Sequence, residues 1–258
     1  MHRWASKSIC CALFLSAISA LAQTDLQTDP QSIVDRMVTA QHQAKGQLRA
    51  YQATRRYQIF KGSEKKSDVT AAVSYDPPQQ KSYNILQSTG GTGEGVIKKT
   101  LDHEVAATRD PGDYEISPTN YDFAYAGETD CSGSRCFILT LTPKRNCKDL
   151  IKGRAWVDQS SYLIRRVEGE LAKSPSWWVK KASVVVEYGD VEGMWLQTRS
   201  VADAKMRMIG DYTLVSQNTE LRAATSVASA HKPPSSFRRR LATTAVVGEA
   251  GFFLPTRK

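Results

Sequence analysis

The sequence predicts an α+β fold in which a curved antiparallel β-sheet has helices or a ligand against its concave face. Two segments carry apolar residues at helical spacing, and short strand-like runs separated by turn residues make up most of the rest. The runs after residue 120 have no helical pattern between them, which favours antiparallel pairing. Several runs have apolar residues on both faces, as expected when both sides of a sheet are covered. A β-sandwich fits the same pattern and remains the alternative.

The first predicted element is a helix over residues 29–48, with Asp29 as the cap and Pro30 in the first turn. Its apolar residues recur on one face, so it is expected to lie against another layer. Three antiparallel strands are predicted next, over residues 49–60, 69–75 and 81–87.

A second helix is predicted over residues 96–108, ending before Pro111. The Gly-rich turn at residues 90–95 is interpreted as the entry to this helix. It is not a phosphate loop, because no Lys-Ser or Lys-Thr follows its last glycine. The remaining strands are predicted over residues 121–127, 136–142, 153–157, 162–171, 177–188, 195–202 and 210–221. Strand alternation places Ile164 and Val167 on opposite faces.

Residues 1–22 are predicted to be a signal peptide. A basic leader precedes an apolar run at residues 8–21, which at about 14 residues is shorter than the roughly 20 that a membrane-spanning helix needs. Small residues precede a cleavage site between Ala22 and Gln23. We therefore expect export to the periplasm and a soluble mature protein, with a retained membrane anchor as the alternative. A lipid anchor is not expected, because no cysteine follows the cleavage site.

The mature chain is predicted to divide into one domain at residues 23–222 and a tail at residues 223–258. The tail is rich in Ala, Ser, Thr and Pro and has no usable periodicity, so we expect it to be disordered. The formal net charge of the chain is +9, and much of the basic excess lies in the tail. Because the domain is close to neutral, binding to nucleic acid is not expected.

A catalytic site is not expected. Histidine is the usual acid or base near neutral pH, and the candidates beyond the leader are His42, His103 and His231. Asp102 is adjacent to His103, and adjacent residues of a helix do not face each other. The Ser-x-x-Lys sequence at residues 63–66 lies in a polar turn, where neither side chain is desolvated. A secreted hydrolase is the remaining possibility, and it requires His103 in a cleft beside a nucleophile.

Three cysteines remain beyond the leader, namely Cys131, Cys136 and Cys147. In an oxidising compartment one pair and one odd thiol are expected. Cys131 and Cys136 flank a turn that contains Gly133, and partners across a short hairpin lie within reach of a disulfide. We predict a disulfide between Cys131 and Cys136, with Cys147 as a competing partner. A metal site is disfavoured because there is no Cys-x-x-Cys pair and no nearby histidine, and no cofactor is expected.

The aromatic residues point to burial or binding of apolar groups. Trp156, Trp177, Trp178 and Trp195 all fall on predicted strands. Adjacent strand residues point to opposite faces, so either Trp177 or Trp178 is expected to face whatever covers the second side of the sheet. The hypothesis is a protein that binds an apolar ligand and performs no chemistry on it.

Five segments carry a resemblance to a known family. After a basic signal peptide and an amphipathic helix, the chain resembles outer-membrane lipoprotein-sorting proteins of the LolA-like superfamily, which includes LolA, LolB and RseB types. The resemblance covers residues 30–222, and residues 141–178 are its most specific part. It rests on residues 101–105 (Leu-Asp-His-Glu-Val), 120–123 (Asn-Tyr-Asp-Phe), 141–145 (Leu-Thr-Pro-Lys-Arg), 153–158 (Gly-Arg-Ala-Trp-Val-Asp) and 167–170 (Val-Glu-Gly-Glu).

The resemblance implies an unclosed antiparallel β-barrel whose concave face is apolar and partly filled by helices. It implies a periplasmic carrier or chaperone that binds lipids or the acyl chains of lipoproteins in transit to the outer membrane. The alternative is an envelope sensory or regulatory module that docks on a membrane protein. A monomer without a cofactor is expected in either case. The resemblance assigns no ligand-binding residue, and a hollow lined by polar groups would count against the carrier.

Overall fold

The computed structural model describes residues 29–78, 80–91 and 93–223. The predicted signal peptide, the cleavage site between Ala22 and Gln23, and the tail beyond residue 223 lie outside these ranges. The described ranges contain helices α1 (Pro30–Gly46) and α2 (Glu94–Arg109), a 3-10 turn at Pro111–Asp113, and the strands β1 (Tyr51–Lys61), β2 (Glu64–Asp76), β3 (Gln80–Thr89), β4 (Tyr121–Cys131), β5 (Ser134–Pro143), β6 (Ile151–Asp158), β7 (Ile164–Leu171), β8 (Val179–Val191), β9 (Met194–Met206) and β10 (Asp211–Ala223).

The ten strands form one antiparallel sheet in the order β3-β2-β1-β10-β9-β8-β7-β6-β5-β4. The predicted fold class is therefore confirmed as α+β with an unclosed antiparallel sheet, and the sandwich alternative is wrong. The two edge strands, β3 and β4, are consecutive in the chain. Their connection contains α2, so the chain crosses from one edge of the sheet to the other through a helix.

The amphipathic helix α1 begins where the sequence predicts. The carboxylate of Asp29 accepts hydrogen bonds from the backbone N–H groups of Gln31 and Ser32, at 3.1 and 3.2 Å, and Pro30 occupies the first turn. Ile33, Val34 and Met37 are buried on one face of the helix. No helix in the described part of the chain is long and apolar enough to cross a membrane.

The concave face carries two main groups of buried residues, one under each helix. The group under α1 joins the helix to β4–β7 through Tyr121, Leu139, Leu141, Leu150, Ala155, Val157, Ile164 and Val167. The group under α2 joins Val96, Ile97 and Leu101 to Tyr57, Ile59, Val69, Ala71, Val73, Ala202 and Leu214. Each helix thus covers a different half of the same curved sheet.

A buried ion pair holds α2 on the sheet. The side chain of Arg55 is 6% exposed, and its Nη1 lies 2.7 Å from Oε2 of Glu104 on α2. Lys81 and Tyr57 also donate to this carboxylate, at 3.2 and 3.3 Å, and Arg55 donates through Nε to Asn218 at 2.7 Å. Burial disfavours the charged carboxylate, yet Arg55 and Lys81 hold the pKa of Glu104 below its ordinary value.

The structure corrects one prediction about strand faces and one about the end of a strand. Ile164 and Val167 were expected on opposite faces, but both are buried under α1. The reason is a β-bulge: Trp156 pairs with Arg166 and Val157 pairs with Ile164, so Arg165 is an extra residue that reverses the alternation. β4 has a similar irregularity between Tyr125 and Gly127, and it continues to Cys131, four residues beyond the predicted end.

Two tryptophans lie outside the strands predicted for them. Trp177 and Trp178 precede β8, which begins at Val179, so the expectation that they point to opposite faces of a strand is wrong. Trp178 packs against the end of the concave core, whereas Trp177 is 77% exposed.

Candidate functional site

An apolar cavity of about 310 Å³ lies between the concave face and the helix layer. Its floor comes from β4 and from β6–β9, and its cover comes from α1, the end of α2 and residues 111–116. The apolar and aromatic lining residues are Ala107, Pro111, Tyr114, Ile116, Tyr121, Ile151, Ile164, Val167, Val186, Tyr188 and Trp195, and the polar ones are Gln41, Lys45, Glu115 and Asp149.

The bulge in β7 is what makes the floor apolar, because it turns Ile164 and Val167 toward the same side. Trp195 of β9 closes one end. Its indole N–H donates to the carbonyl of Ile164, 3.0 Å away, so the ring reaches across β8 to β7. Because the indole N–H of Trp195 is already hydrogen-bonded, the ring contributes apolar surface to the cavity.

The phenol of Tyr188 adds a second aromatic wall to the cavity. Burial raises the pKa of Tyr188 to about 12, so the side chain is neutral at any physiological pH. Nearby, Tyr121 accepts a hydrogen bond from the N–H of Ile151 at 3.0 Å, and burial also raises the pKa of Tyr121. The aromatic groups of the floor therefore bring no charge into the cavity.

The cover is tied to α1 by contacts at the surface. Lys45 forms an ion pair with Glu115, and the side chain of Lys45 is 45% exposed. Gln41 donates to the carbonyl of Ile116 at 3.3 Å. Exposed ion pairs contribute at most about 1 kcal/mol, so the pair of Lys45 and Glu115 adds little to the hold of α1 on this part of the cover.

His103, the histidine on which the hydrolase alternative depends, lies near Asp149 and Tyr114. Its Nε2 lies 3.9 Å from Asp149, its ring contacts Tyr114 edge-on at 5.4 Å, and the thiol of Cys147 is 3.5 Å from the same Asp149 carboxylate. Nucleophilic catalysis requires the base beside the nucleophile, and here both His103 and Cys147 contact the Asp149 carboxylate. The described residues also contain no group of three or more His, Cys, Asp or Glu side chains that could hold a metal. His42 lies on α1 and His231 lies outside the described residues.

The structure pairs Cys131 with Cys136 across the β4–β5 hairpin, with their Cα atoms 6.0 Å apart. The two residues are not directly opposite. Cys131 faces Ser134 and Cys136 faces Thr129, so the cysteines form a diagonal pair. Cys147 is a free, partly buried thiol. The disulfide stays a prediction for chemical mapping.

A second, larger cavity of about 930 Å³ lies at the end of the sheet where β1 and β3 begin and where β2 and β10 end. Its lining is mostly polar, with three basic residues and one acidic residue. The lining residues are Ala50, Tyr51, Gln52, Ser74, Tyr75, Asp76, Gln80, Lys81, Ser82, Arg109, Arg222 and Ala223. We refer to it as the polar groove.

Sequence reasoning did not place the lining of either cavity, because neighbouring lining residues come from distant parts of the chain. One signal was available for the ion pair of α2. Arg55 occupies an inward position between Ala53 and Tyr57 in an alternating strand, where an apolar residue is expected.

No family model and no curated protein matches the sequence. Solved structures do match. They include a LolA superfamily protein from Nitrosomonas europaea (11% identity, 76% of this chain and 94% of that chain covered, TM-score 0.45). They also include a domain named for outer membrane lipoprotein sorting from Vibrio parahaemolyticus (10%, 75% and 94%, TM-score 0.38) and the MucA/MucB complex of Pseudomonas aeruginosa (11%, 76% and 100%, TM-score 0.26). These are likenesses of fold at low identity.

Proposed function

We propose that this chain is a periplasmic carrier or chaperone that binds an acyl chain of a lipid or lipoprotein in the apolar cavity. The observation that carries the proposal is the lining of that cavity, which includes Ile164, Val167, Val186, Tyr188 and Trp195. A mainly apolar lining with a few polar groups at its edge matches the surface of a hydrocarbon chain. The proposal assigns no catalytic role and no cofactor.

The size of the cavity suits part of an acyl chain. Its volume of about 310 Å³ and its mainly apolar lining can accept a segment of hydrocarbon. Each methylene removed from water contributes about 0.8 kcal/mol before the costs of association. Release then needs only a partner that binds the same chain more tightly.

A pair of variants on one strand tests the proposal. Val186 lines the cavity, and its neighbour Val185 points to the other face of β8. Val186→Phe fills the cavity and should weaken binding of a fluorescent dodecanoic acid by at least about tenfold, whereas Val185→Phe should leave it unchanged. Native mass spectrometry of the purified chain should also find co-purifying acyl chains. Absence of both bound lipid and probe binding in the unmodified protein would overturn the proposal.

The predicted processing is a separate part of this proposal. Release of the exported protein into the periplasm requires cleavage after Ala22, so N-terminal sequencing of the protein recovered from the periplasm should begin at Gln23. Recovery of the whole chain in the membrane fraction would favour the retained anchor.

A second candidate, an envelope sensory module that docks on a membrane protein, is favoured by the polar groove. The groove is three times larger than the apolar cavity, and its side chains suit the backbone and charges of a peptide. Deletion of residues 223–258 with retained lipid binding and loss of a defined protein partner would favour this candidate. A photo-crosslinker at Ser82 tests the groove itself, because it should capture that same partner.

A further inference from the structure

One end of the sheet carries exposed apolar side chains on two adjacent loops. Trp177 is 77% exposed in the β7–β8 loop, and Met208 and Ile209 are 82% and 45% exposed in the β9–β10 hairpin. Exposed large apolar residues are otherwise few in the described part of the chain, namely Leu86 and Tyr125. We call residues 172–180 and 204–210 the apolar tip.

The two loops of the apolar tip are fastened to each other through Arg207. Its Nε donates to the carbonyl of Trp177 at 2.7 Å, and its backbone N–H donates to the carbonyl of Trp178 at 2.9 Å. Below them, Val179 pairs with Met206 in the sheet. The exposed side chains therefore project from a braced end of the sheet, and their exposure is a property of the fold.

Several backbone groups of the apolar tip form hydrogen bonds within it. Besides the two carbonyls held by Arg207, the N–H of Val179 donates to Ser176 at 3.1 Å and that of Met206 donates to Gly210 at 3.3 Å. The hydroxyl of Ser174 donates to the carbonyls of Ser176 and Val179. An unpaired backbone group costs several kcal/mol in a lipid environment, so each of these hydrogen bonds lowers the cost of placing the tip at a membrane surface.

The charges of the apolar tip are all positive. Its ionisable residues are Lys173, Lys180, Lys205 and Arg207, and each of them is exposed. Asp203 and Asp211 stand just outside it, and Asp203 accepts a hydrogen bond from Thr213 at 2.6 Å. Tryptophan prefers the boundary between lipid headgroups and hydrocarbon, and basic residues around it are attracted to anionic headgroups.

We propose that the apolar tip docks this protein on the surface of an anionic phospholipid membrane, with Trp177, Met208 and Ile209 inserted at the headgroup level. A membrane is favoured over a protein partner because the apolar side chains stand on loop ends with basic residues around them. They do not line a concave pocket of the kind that binds hot-spot residues of a partner. This docking is independent of the occupant of the apolar cavity, and it explains why three apolar side chains are left in water.

The test measures co-sedimentation of the mature protein with lipid vesicles and uses no acyl probe. The unmodified protein should bind vesicles of phosphatidylethanolamine and phosphatidylglycerol better than vesicles of phosphatidylcholine alone. Combined replacement of Trp177, Met208 and Ile209 by serine should reduce binding to anionic vesicles at least about tenfold. Leu86→Ser, at a position that is 56% exposed on β3, is the matched control and should leave binding unchanged.

A charge pair separates headgroup attraction from apolar insertion. Lys173→Gln with Lys180→Gln should lower binding to anionic vesicles about fivefold for each charge removed, with no effect on phosphatidylcholine. Lys98→Gln with Arg154→Gln, at exposed positions elsewhere, is the matched control. Added salt should weaken binding in the same direction.

The intensity of Trp177 fluorescence gives a measurement that does not depend on folding of the triple variant. Brominated lipids should quench part of the tryptophan emission of the unmodified protein, and Trp177→Phe should remove that quenched part. The proposal is overturned if the unmodified protein binds neither kind of vesicle, or if Leu86→Ser weakens binding as much as the triple variant. It is also overturned if the triple variant binds vesicles normally but loses a specific protein partner, because the tip is then a protein interface.

Discussion

Replacing Glu104 by glutamine should destabilise the fold by about 3 kcal/mol. The carboxylate neutralises Arg55, whose side chain is only 6% exposed, and also accepts from Lys81. Removing one partner of a buried ion pair leaves the other charge uncompensated, which costs about 3 to 5 kcal/mol. The lower end applies because the glutamine amide oxygen can still accept one hydrogen bond from Arg55.

The measurement is urea denaturation of the oxidised protein, followed by circular dichroism. Glu128→Gln is the control, because it breaks the ion pair with Arg135, which is 64% exposed on the β4–β5 hairpin, and should cost no more than about 1 kcal/mol. The double variant Arg55→Met and Glu104→Met should lose much less stability than the sum of the two single methionine variants. Equal losses for Glu104→Gln and Glu128→Gln would refute the structural role of the buried pair.

Three further predictions concern pH, the sheet and the cysteines. Because the folded-state pKa of Glu104 is depressed, its stabilisation is complete above its unfolded pKa, about 4.3, and is lost as pH falls through the folded pKa; Glu104→Gln should flatten the acid side of the stability profile. Gly169→Ala should destabilise the protein by at least about 2 kcal/mol in urea titrations, because a Cβ there collides with a facing β6 carbonyl. Cys131 and Cys136 should be recovered linked by non-reducing peptide mapping, with Cys147 alkylated after unfolding, and a dominant link to Cys147 would contradict the hairpin register.

The hydrophobic periodicity predicted the positions of the helices and strands better than the face of the sheet on which each strand residue lies. Both helices were found because apolar residues recur every three or four positions, and the strands were found because turn residues separate them. The bulge at Arg165 could not be read from the pattern, since one extra residue reverses the alternation without changing the composition of the strand. The exposure of Trp177 was not predicted for a related reason. The residue was assigned to a strand, where one of the two tryptophans was expected to be covered, but it lies in the β7–β8 loop and is 77% exposed.

The candidate site was predictable only as an expectation of an apolar hollow on the concave face. Its lining is assembled by pairing β6, β7, β8 and β9 and by the segment that follows α2, so no short stretch of sequence contains it. The polar groove was not anticipated at all. Its side chains lie at the ends of β1, β2, β3 and β10, and each end looks like an ordinary polar strand terminus by itself.

The opening between the edge strands β3 and β4 and the apolar cavity both follow from the order of the elements along the chain. The edge strands β3 and β4 are consecutive, and the connection between them places α2 and residues 111–116 over the concave face. The two sides of this cover are held unequally: α2 is fixed by the buried pair of Arg55 and Glu104, whereas residues 115 and 116 are held to α1 by an exposed ion pair and one hydrogen bond. Exposed pairs are worth several-fold less than the cost of breaking a buried one. The polar contacts between α1 and residues 115 and 116 therefore cost less to break than the buried pair that holds α2.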